Sequence, residues 1–316
     1  MEESVPPSLL VHDASRRIGG RAVLSGASVR VERGTVVGLL GPNGAGKSSL
    51  LRAVAGRLRL DTGEVRIAGL SGADARRQGR LGLVPQDIAL FAHLTVRENL
   101  MALGRLAGVV PASLASRVAD GLVWAGLDDR ADALVTTLSG GMRRRVNLVA
   151  GTLHHPALLL LDEPTVGVDA DARARLHDLL RSLRQQGMGV LVATHDAEEA
   201  QILCDEVAVM AGGRVLVQAP TAQLVADAFG GATEVSLVLE RPVPASADAV
   251  LRQAQFRPEG DGRWVGRGRG LYADLDALRQ RLGQAGVRVL ETRVSEPHLG
   301  GAVALILEQH AGRAAA

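Results

Sequence analysis

The chain has 316 residues, 47% apolar and 22% charged, and its 36 basic residues against 34 acidic ones leave a net charge of +2. That length fits one larger and one smaller domain, and the near-balanced charge excludes the dense basic surface of a nucleic-acid binder. A single cysteine, Cys204, excludes a disulfide framework and points to a reducing compartment, while aliphatic runs such as residues 157–161 fall far short of the roughly 18–20 residues of a membrane-spanning helix.

In chain order, the opening MEESVPPSLL lacks the basic-then-apolar order of a signal peptide. Residues 35–40 (TVVGLL) predict a short buried strand, followed by a glycine-rich loop and a helical spacing of Leu50, Leu51, Val54, Ala55 and Leu58. Residues 81–85 (LGLVP) predict another strand, and residues 95–153 a mostly helical stretch broken at 108–111 and 126–129. A continuously apolar strand at 157–161, an amphipathic helix at 170–186, a buried strand at 189–194 and a helix at 196–203 follow. Ala-Gly-Gly between residues 207–210 and 214–218 marks a hairpin. Buried strands alternating with helices imply an α/β fold on a mostly parallel sheet, interrupted by a helical insertion at about 87–155.

Phe-Gly-Gly-Ala at 229–232 then punctuates the chain. Beyond it, strand-like residues 234–240, 263–267 and 287–293 alternate with helix-like residues 247–253, 273–285 and 299–309, and the last six residues are expected to fray. The expected organisation is a large α/β domain over 9–228 and a small C-terminal α+β domain over 232–312.

Of the 36 basic residues, 35 are arginine and one, Lys47, is lysine. A position that keeps lysine against such a bias needs a compact ammonium on a slim stem. Lys47 closes the run Gly41-Pro42-Asn43-Gly44-Ala45-Gly46-Lys47-Ser48-Ser49, which fits GxxxxGK[ST] between a strand and a helix. Glycines let backbone N–H groups curl around phosphate oxygens, the helix start adds partial positive charge, Lys47 reaches the β/γ-phosphates and Ser48 offers a hydroxyl to Mg²⁺. A second signal is the aliphatic strand ending in Asp162-Glu163-Pro164. Asp162 falls at the strand's C-terminal edge, where a carboxylate can hold that Mg²⁺, and Glu163 where a base can polarise the attacking water. In the third, Leu138-Ser139-Gly140-Gly141, Ser139 can cap the following helix and leave an anion site at its bare start. The first loop already holds the phosphates, so a second such site fits the nucleotide of another subunit.

These three signals occur with Gln86 after a short strand, Asp169 in VGVDA and His195 closing VLVATH. In that order the chain resembles the ATP-binding cassette (ABC) ATPases of transporters over about residues 9–226. The resemblance implies that Gln86 senses Mg²⁺ and the γ-phosphate, that His195 donates to the γ-phosphate and positions Glu163, and that Asp169 crosses a dimer interface. It further implies a homodimer that sandwiches two ATP molecules, and an integral-membrane permease encoded separately, with the ATPase peripheral on the cytoplasmic side of the cell membrane and no nucleic-acid partner. Within the family, LSGGMRRR, THDAEEAQILCDEVAVMAGGRV and the small C-terminal domain are similar to the exporter branch serving drugs and polysaccharides. Two other readings are a non-transport ABC ATPase acting on ribosomes or DNA, disfavoured by the single cassette, and an importer ATPase with a regulatory tail. Two positions depart from the family pattern: Ile18 stands where an aromatic ring usually stacks on adenine, and Met142 follows the LSGG run.

Three further features have plainer readings. Arg143, Arg144 and Arg145 fan around a helix and are expected on a solvated face. Ile88, Leu90 and Phe91 could dock a permease helix or pack within the insertion. His154-His155 points to opposite sides, a poor metal pair.

Overall fold

The computed structural model describes residues 5–230, 233–268, 274–295 and 297–315. Residues 1–4 of the N-terminal stretch, Gly231 and Ala232 of the expected domain boundary, Ala273 of the expected helix and the final Ala316 lie outside that set. The chain divides into two compact units, Met1–Pro220 and Thr221–Ala316.

The first unit opens with β1 (Leu9–Ile18), β2 (Arg21–Val31) and β3 (Val36–Leu40), then α1 (Lys47–Val54), β4 (Thr62–Ile67), β5 (Leu70–Ser71), α2 (Gly72–Arg77) and β6 (Leu81–Val84). The helical insertion supplies α3 (Val96–Leu106), α4 (Pro111–Trp124) and α5 (Gly140–Thr152), and β7 (Leu158–Asp162), α6 (Ala170–Gln185), β8 (Gly189–Ala193), α7 (Ala197–Leu203), β9 (Glu206–Ala211) and β10 (Arg214–Pro220) complete the unit. A six-stranded sheet runs in the order β10-β9-β3-β8-β7-β6. Its pairings are parallel from β9 through β6, and only the β9–β10 hairpin is antiparallel. β3, β7 and β8 are aliphatic because helices and a second sheet cover both their faces.

That second sheet, antiparallel in the order β2-β1-β4-β5, has no counterpart in the sequence-based expectation. Register shifts break β1 against both of its neighbours, so no clean alternation marks it. Leu9, Val11, Leu24 and Val29 from this sheet pack with Leu50 and Val54 of α1 and with Leu39, Leu160 and Leu191 of the parallel sheet in one core. The insertion has a core of its own, with Leu100, Leu114, Val118, Leu122, Val146 and Val149 at its centre. Its helices start where local chemistry dictates: Thr95 and Glu98 form a capping box on α3, and Pro111 occupies the first turn of α4. Between α4 and α5 the chain is not α-helical; it makes two short 3₁₀ turns, Asp128–Arg130 and Val135–Thr137.

The second unit contains α8 (Thr221–Phe229), β11 (Thr233–Leu239), α9 (Ala245–Gln253), β12 (Phe256–Gly260), β13 (Arg263–Gly268), α10 (Leu275–Gln284), β14 (Val289–Ser295) and α11 (Leu299–Ala315). Its antiparallel sheet runs β12-β13-β11-β14, and Val235, Leu237, Leu251, Phe256, Trp264 and Leu282 form its core. α11 reaches Ala315, into the end that is expected to fray.

Candidate active site

β3, β7 and β8 all deliver their C-terminal ends to one edge of the parallel sheet, which is where open α/β sheets bind ligands. After Leu40 the chain turns into the loop 41–46, and glycine is required there: a Cβ on Gly41 would collide with the Met210 carbonyl oxygen. Gly46 stands at φ +109 and caps α1 without any side-chain hydrogen bond, so the first N–H groups of the helix remain available to an anion. Lys47 is only 9% exposed, and its Nζ donates to the carbonyl oxygens of Gly41 (2.6 Å) and Pro42 (3.1 Å). Burial lowers its pKa, and the nearby carboxylates of Glu163 and Asp162 oppose that shift.

Asp162 ends β7 opposite Ala193 of β8. Burial, reinforced by the adjacent Glu163, raises its carboxyl above the usual range against the pull of Arg52, Lys47 and Arg144. Glu163 adopts a left-handed backbone, φ +47, which costs a non-glycine residue about 1–2 kcal/mol. Two hydrogen bonds hold that turn: the Glu163 N–H donates to Ala193 O (2.9 Å) and the Glu163 carbonyl accepts from Arg144 Nη2 (3.0 Å). The Glu163 carboxylate then meets His195, whose Nδ1 lies 2.9 and 3.0 Å from its two oxygens. Glu163 is sheltered while His195 stands largely in solvent.

An open cleft of about 530 Å³ gathers Asn43, Gly44, Ala45, Gly46, Lys47, Ser48 and Ser49 with Gln86, Glu163 and His195. Gly41, Pro42 and Asp162 are not on its lining. Nor is Ile18, which is 51% exposed at the end of β1; the chain reverses at Gly19-Gly20, and Arg21, Ala22 and Val23 of β2 line the cleft instead. Ser139, Gly140, Gly141 and Asp169 also lie off this cleft. Ser139 Oγ accepts from Met142 N (3.2 Å) and Asp169 Oδ1 from Ala172 N (2.8 Å), so each caps a helix. The two starts approach closely, since a Cβ on Gly141 would stand 2.5 Å from the Ala172 Cβ.

The donor set suits Mg²⁺, a hard cation that prefers oxygen ligands. Ser48 and Gln86 bring oxygens to the cleft, and Asp162 is a carboxylate whose raised pKa a cation would relieve. Among the described residues no three His, Cys, Asp or Glu side chains cluster to hold a metal, so a cation here would share its shell with phosphate oxygens. His154 serves packing: Nε2 sits 3.0 Å from Leu81 O, and burial lowers its pKa.

The arginine run departs from its expected solvated face. Arg144 is 4% exposed and Arg145 7%. Arg144 donates from Nη1 to Pro85 O (2.8 Å) and from Nη2 to Glu163 O, bridging the residues beside Gln86 and Asp162. Arg145 Nη1 donates to Ala125 O and Gly126 O at the end of α4. The overlooked signal was helical phase: Arg144 and Arg145 fall one turn from both Gly141 and Leu148, on the buried face of α5.

The family model described as ABC transporter matches residues 24–166. The Nod factor export ATP-binding protein I of Burkholderia lata is 38% identical over 281 residues, 88% of this chain and 90% of that protein. The linearmycin resistance ATP-binding protein LnrL of Bacillus subtilis is 34% identical over 233 residues, 73% of this chain and 75% of its own length. Among solved structures, an ATP-binding subunit of an ABC transporter superposes with a TM-score of 0.64 at 28% identity, covering 72% of this chain and 94% of that one. The cbiO1 protein of Clostridium perfringens, part of the ABC transporter complex cbiONQ, gives the same score and identity over 70% and 92%. With a glycine-rich loop, a strand-end carboxylate pair and His195 on one sheet edge, and relatives alike over most of their length, the chain belongs to the ABC transporter family as an ATP-binding, ATP-hydrolysing chain.

Proposed function

We propose that the chain is the ATPase subunit of an exporter, working as a homodimer on the cytoplasmic side of the membrane against a separately encoded integral-membrane permease. The export reading is supported by the relatives named for Nod factor export and linearmycin resistance. No helix among the described residues is long and apolar enough to cross a membrane, which fits a permease on another chain. The observation that carries the site is the Glu163–His195 contact beside the Lys47 loop in one cleft.

ATP phosphates lie on the open N–H groups of the loop and α1, and Lys47 exchanges the Gly41 and Pro42 carbonyls for β/γ-phosphate oxygens. Ser48, Gln86 and Asp162 would hold Mg²⁺, which would supply charge neutralisation at the phosphates. Glu163 takes the proton of the attacking water, and His195 orients that carboxylate and donates to the γ-phosphate. Arg21, Ala22 and Val23 stand nearer the cleft than Ile18 and are the better candidates for base contact. Ser139, Gly140, Gly141 and Asp169 lie off their own chain's cleft, which supports a role on the nucleotide of the second copy. ATP binding closes the dimer and hydrolysis opens it.

Glu163→Gln keeps the shape and removes the base. We expect ATP hydrolysis to fall by about 10²–10⁴-fold and light scattering to find a stable dimer with Mg²⁺-ATP. Hydrolysis at the wild-type rate would overturn the role of Glu163, and an ATP-bound monomer would overturn the sandwich. The same variant, drawn from native membranes with Mg²⁺-ATP, should bring a multi-span membrane protein with it. Ribosomal or DNA-repair proteins in its place would overturn the transport reading.

A further inference from the structure

Behind the Glu163–His195 contact lies a buried carboxylate that the reaction scheme leaves unused. Glu199, on the first turn of α7, is 2% exposed. Its Oε2 accepts from the hydroxyls of Thr165 (2.7 Å) and Thr194 (3.3 Å), and its Oε1 faces His177 Nε2 at 3.2 Å. All three partners are themselves buried. Such a carboxylate is tolerated only when hydrogen bonds compensate its desolvation, and its partners come from three different segments.

Those segments are the ones that carry the chemistry. Thr165 is two residues beyond Glu163, Thr194 immediately precedes His195, and His177 lies on the helix that Asp169 caps. Glu163 and His195 thus touch in front, and the backbones behind them are pinned to one carboxylate. Asp196 tightens the arrangement: its N–H donates to Thr194 Oγ1 (3.0 Å) and its Oδ1 accepts from Glu199 N (2.9 Å). A hydroxyl cannot let go of this acceptor without leaving a buried group unsatisfied, which makes the register of the two segments stiff.

We propose that Glu199 is a positioning residue that holds the Glu163 and His195 segments in hydrolytic register and, through His177, ties both to the helix begun by Asp169. This rests on the ATPase reading above. Glu199 touches no substrate; it acts because a reacting group displaced by about 1 Å loses on the order of a hundredfold in rate.

The test compares Glu199→Gln, Thr165→Val, Thr194→Val and the serine counterparts Thr165→Ser and Thr194→Ser with Glu163→Gln. Nucleotide affinity is read with a fluorescent ATP analogue and turnover with Mg²⁺-ATP, each corrected for the folded fraction. Glu199→Gln and both valine variants should keep nucleotide affinity within about twofold and lose about ten- to a hundredfold in kcat. The serine variants, which keep the hydroxyl, should stay near wild type. The kcat losses of Glu199→Gln and Thr194→Val should combine to much less than their product, because they act as one unit. Wild-type kcat in Glu199→Gln, or losses that multiply independently, would overturn the proposal. If Glu199→Gln does not fold, the valine and serine pairs decide: equal kcat in valine and serine variants overturns it. Glu163→Gln separates the two levels, since full activity there sinks the base assignment itself, whereas an inactive Glu163→Gln beside an unaffected Glu199→Gln sinks only the positioning role.

Discussion

The two units treat charge in opposite ways. In the first, Lys47, Arg144, Arg145, His177 and Glu199 are all buried, each against named polar partners. In the second, the only buried polar side chain among the described residues is the hydroxyl of Thr221; the core is aliphatic and aromatic. Its ion pairs, among them Arg252 with Asp248 and Arg267 with Glu234, keep partial exposure. Removing a charge from water costs several kcal/mol even when it is paired. A sheet that needs only to hold its shape has no use for that cost. The first unit carries it mostly around the strand ends, where Lys47, Arg144, His177 and Glu199 gather, and once within the insertion, where Arg145 holds the end of α4.

Substitutions can break this contrast from either side. The largest effect on nucleotide binding belongs to Lys47→Ala, which removes a buried ammonium that bonds the loop carbonyls. Loss of a charge-assisted contact worth about 1.5–3 kcal/mol weakens ATP binding by roughly ten- to 150-fold. Calorimetry with Mg²⁺-ATP measures it, and unchanged affinity would remove the loop from the nucleotide site. In the second unit, Phe256→Ala empties a core position that is 1% exposed and lies against Gly266, where a Cβ would stand 2.8 Å from the ring. A cost of about 3–5 kcal/mol is expected, seen as early loss of hydrogen-exchange protection confined to β11, β12 and β13, with ATP turnover within about twofold. A comparable fall in turnover would mean that the plain core also serves the chemistry.

Much of the working unit was legible because its signals are local. Four consecutive leucines ahead of Asp162, and Val190, Leu191 and Val192 ahead of His195, read as short strands buried on both faces, and their alternation with helical patterns gives the α/β class. The glycines at 41, 44 and 46 announce a loop whose backbone N–H groups can curl around an anion. What the sequence hides is non-local. Register shifts break β1 against β2 and β4, and its pairing with β4 joins residues far apart in the chain. The arginine run is another case: three like residues suggest solvent, whereas carbonyls at Pro85, Ala125, Gly126 and Glu163 supply acceptors that only the folded chain brings together. Ile18 shows the same limit: it precedes the cleft in sequence, but a two-glycine reversal decides which residues reach it.

Arg144 sharpens the contrast at a smaller scale. Its fork satisfies two carbonyls, those of Pro85 and Glu163, and a lysine ammonium cannot reach both in that geometry. Arg144→Lys should therefore lose about 1–3 kcal/mol of stability, the penalty of one unsatisfied buried carbonyl. It should also lower kcat about tenfold, with ATP affinity little changed. Chemical unfolding and steady-state turnover check both. A variant indistinguishable from wild type would make Arg144 a filler of space.

The smallest effect tests whether the site gives up stability for its chemistry. Burial and Glu163 raise the Asp162 pKa in the folded chain, so the native state binds this proton more tightly than the unfolded chain does. As pH rises through the ordinary carboxylate range, near 4, the unfolded chain loses the proton first, and stability falls until the folded group has ionised as well. Above that window the full penalty is present; below it there is none. Asp162→Asn does not titrate and should melt slightly higher than wild type at pH 7–8 without nucleotide. The advantage should shrink as pH falls through the window and vanish below about pH 4. In Mg²⁺-ATP the order should reverse, because the variant has lost an oxygen ligand that the wild type uses to gain stability from its substrate. If the variant melts lower than wild type without nucleotide at pH 7–8, the fields of Lys47, Arg52 and Arg144 outweigh burial. The carboxylate would then be a stabilising group in its own right, and buried charge at this edge would need no functional explanation.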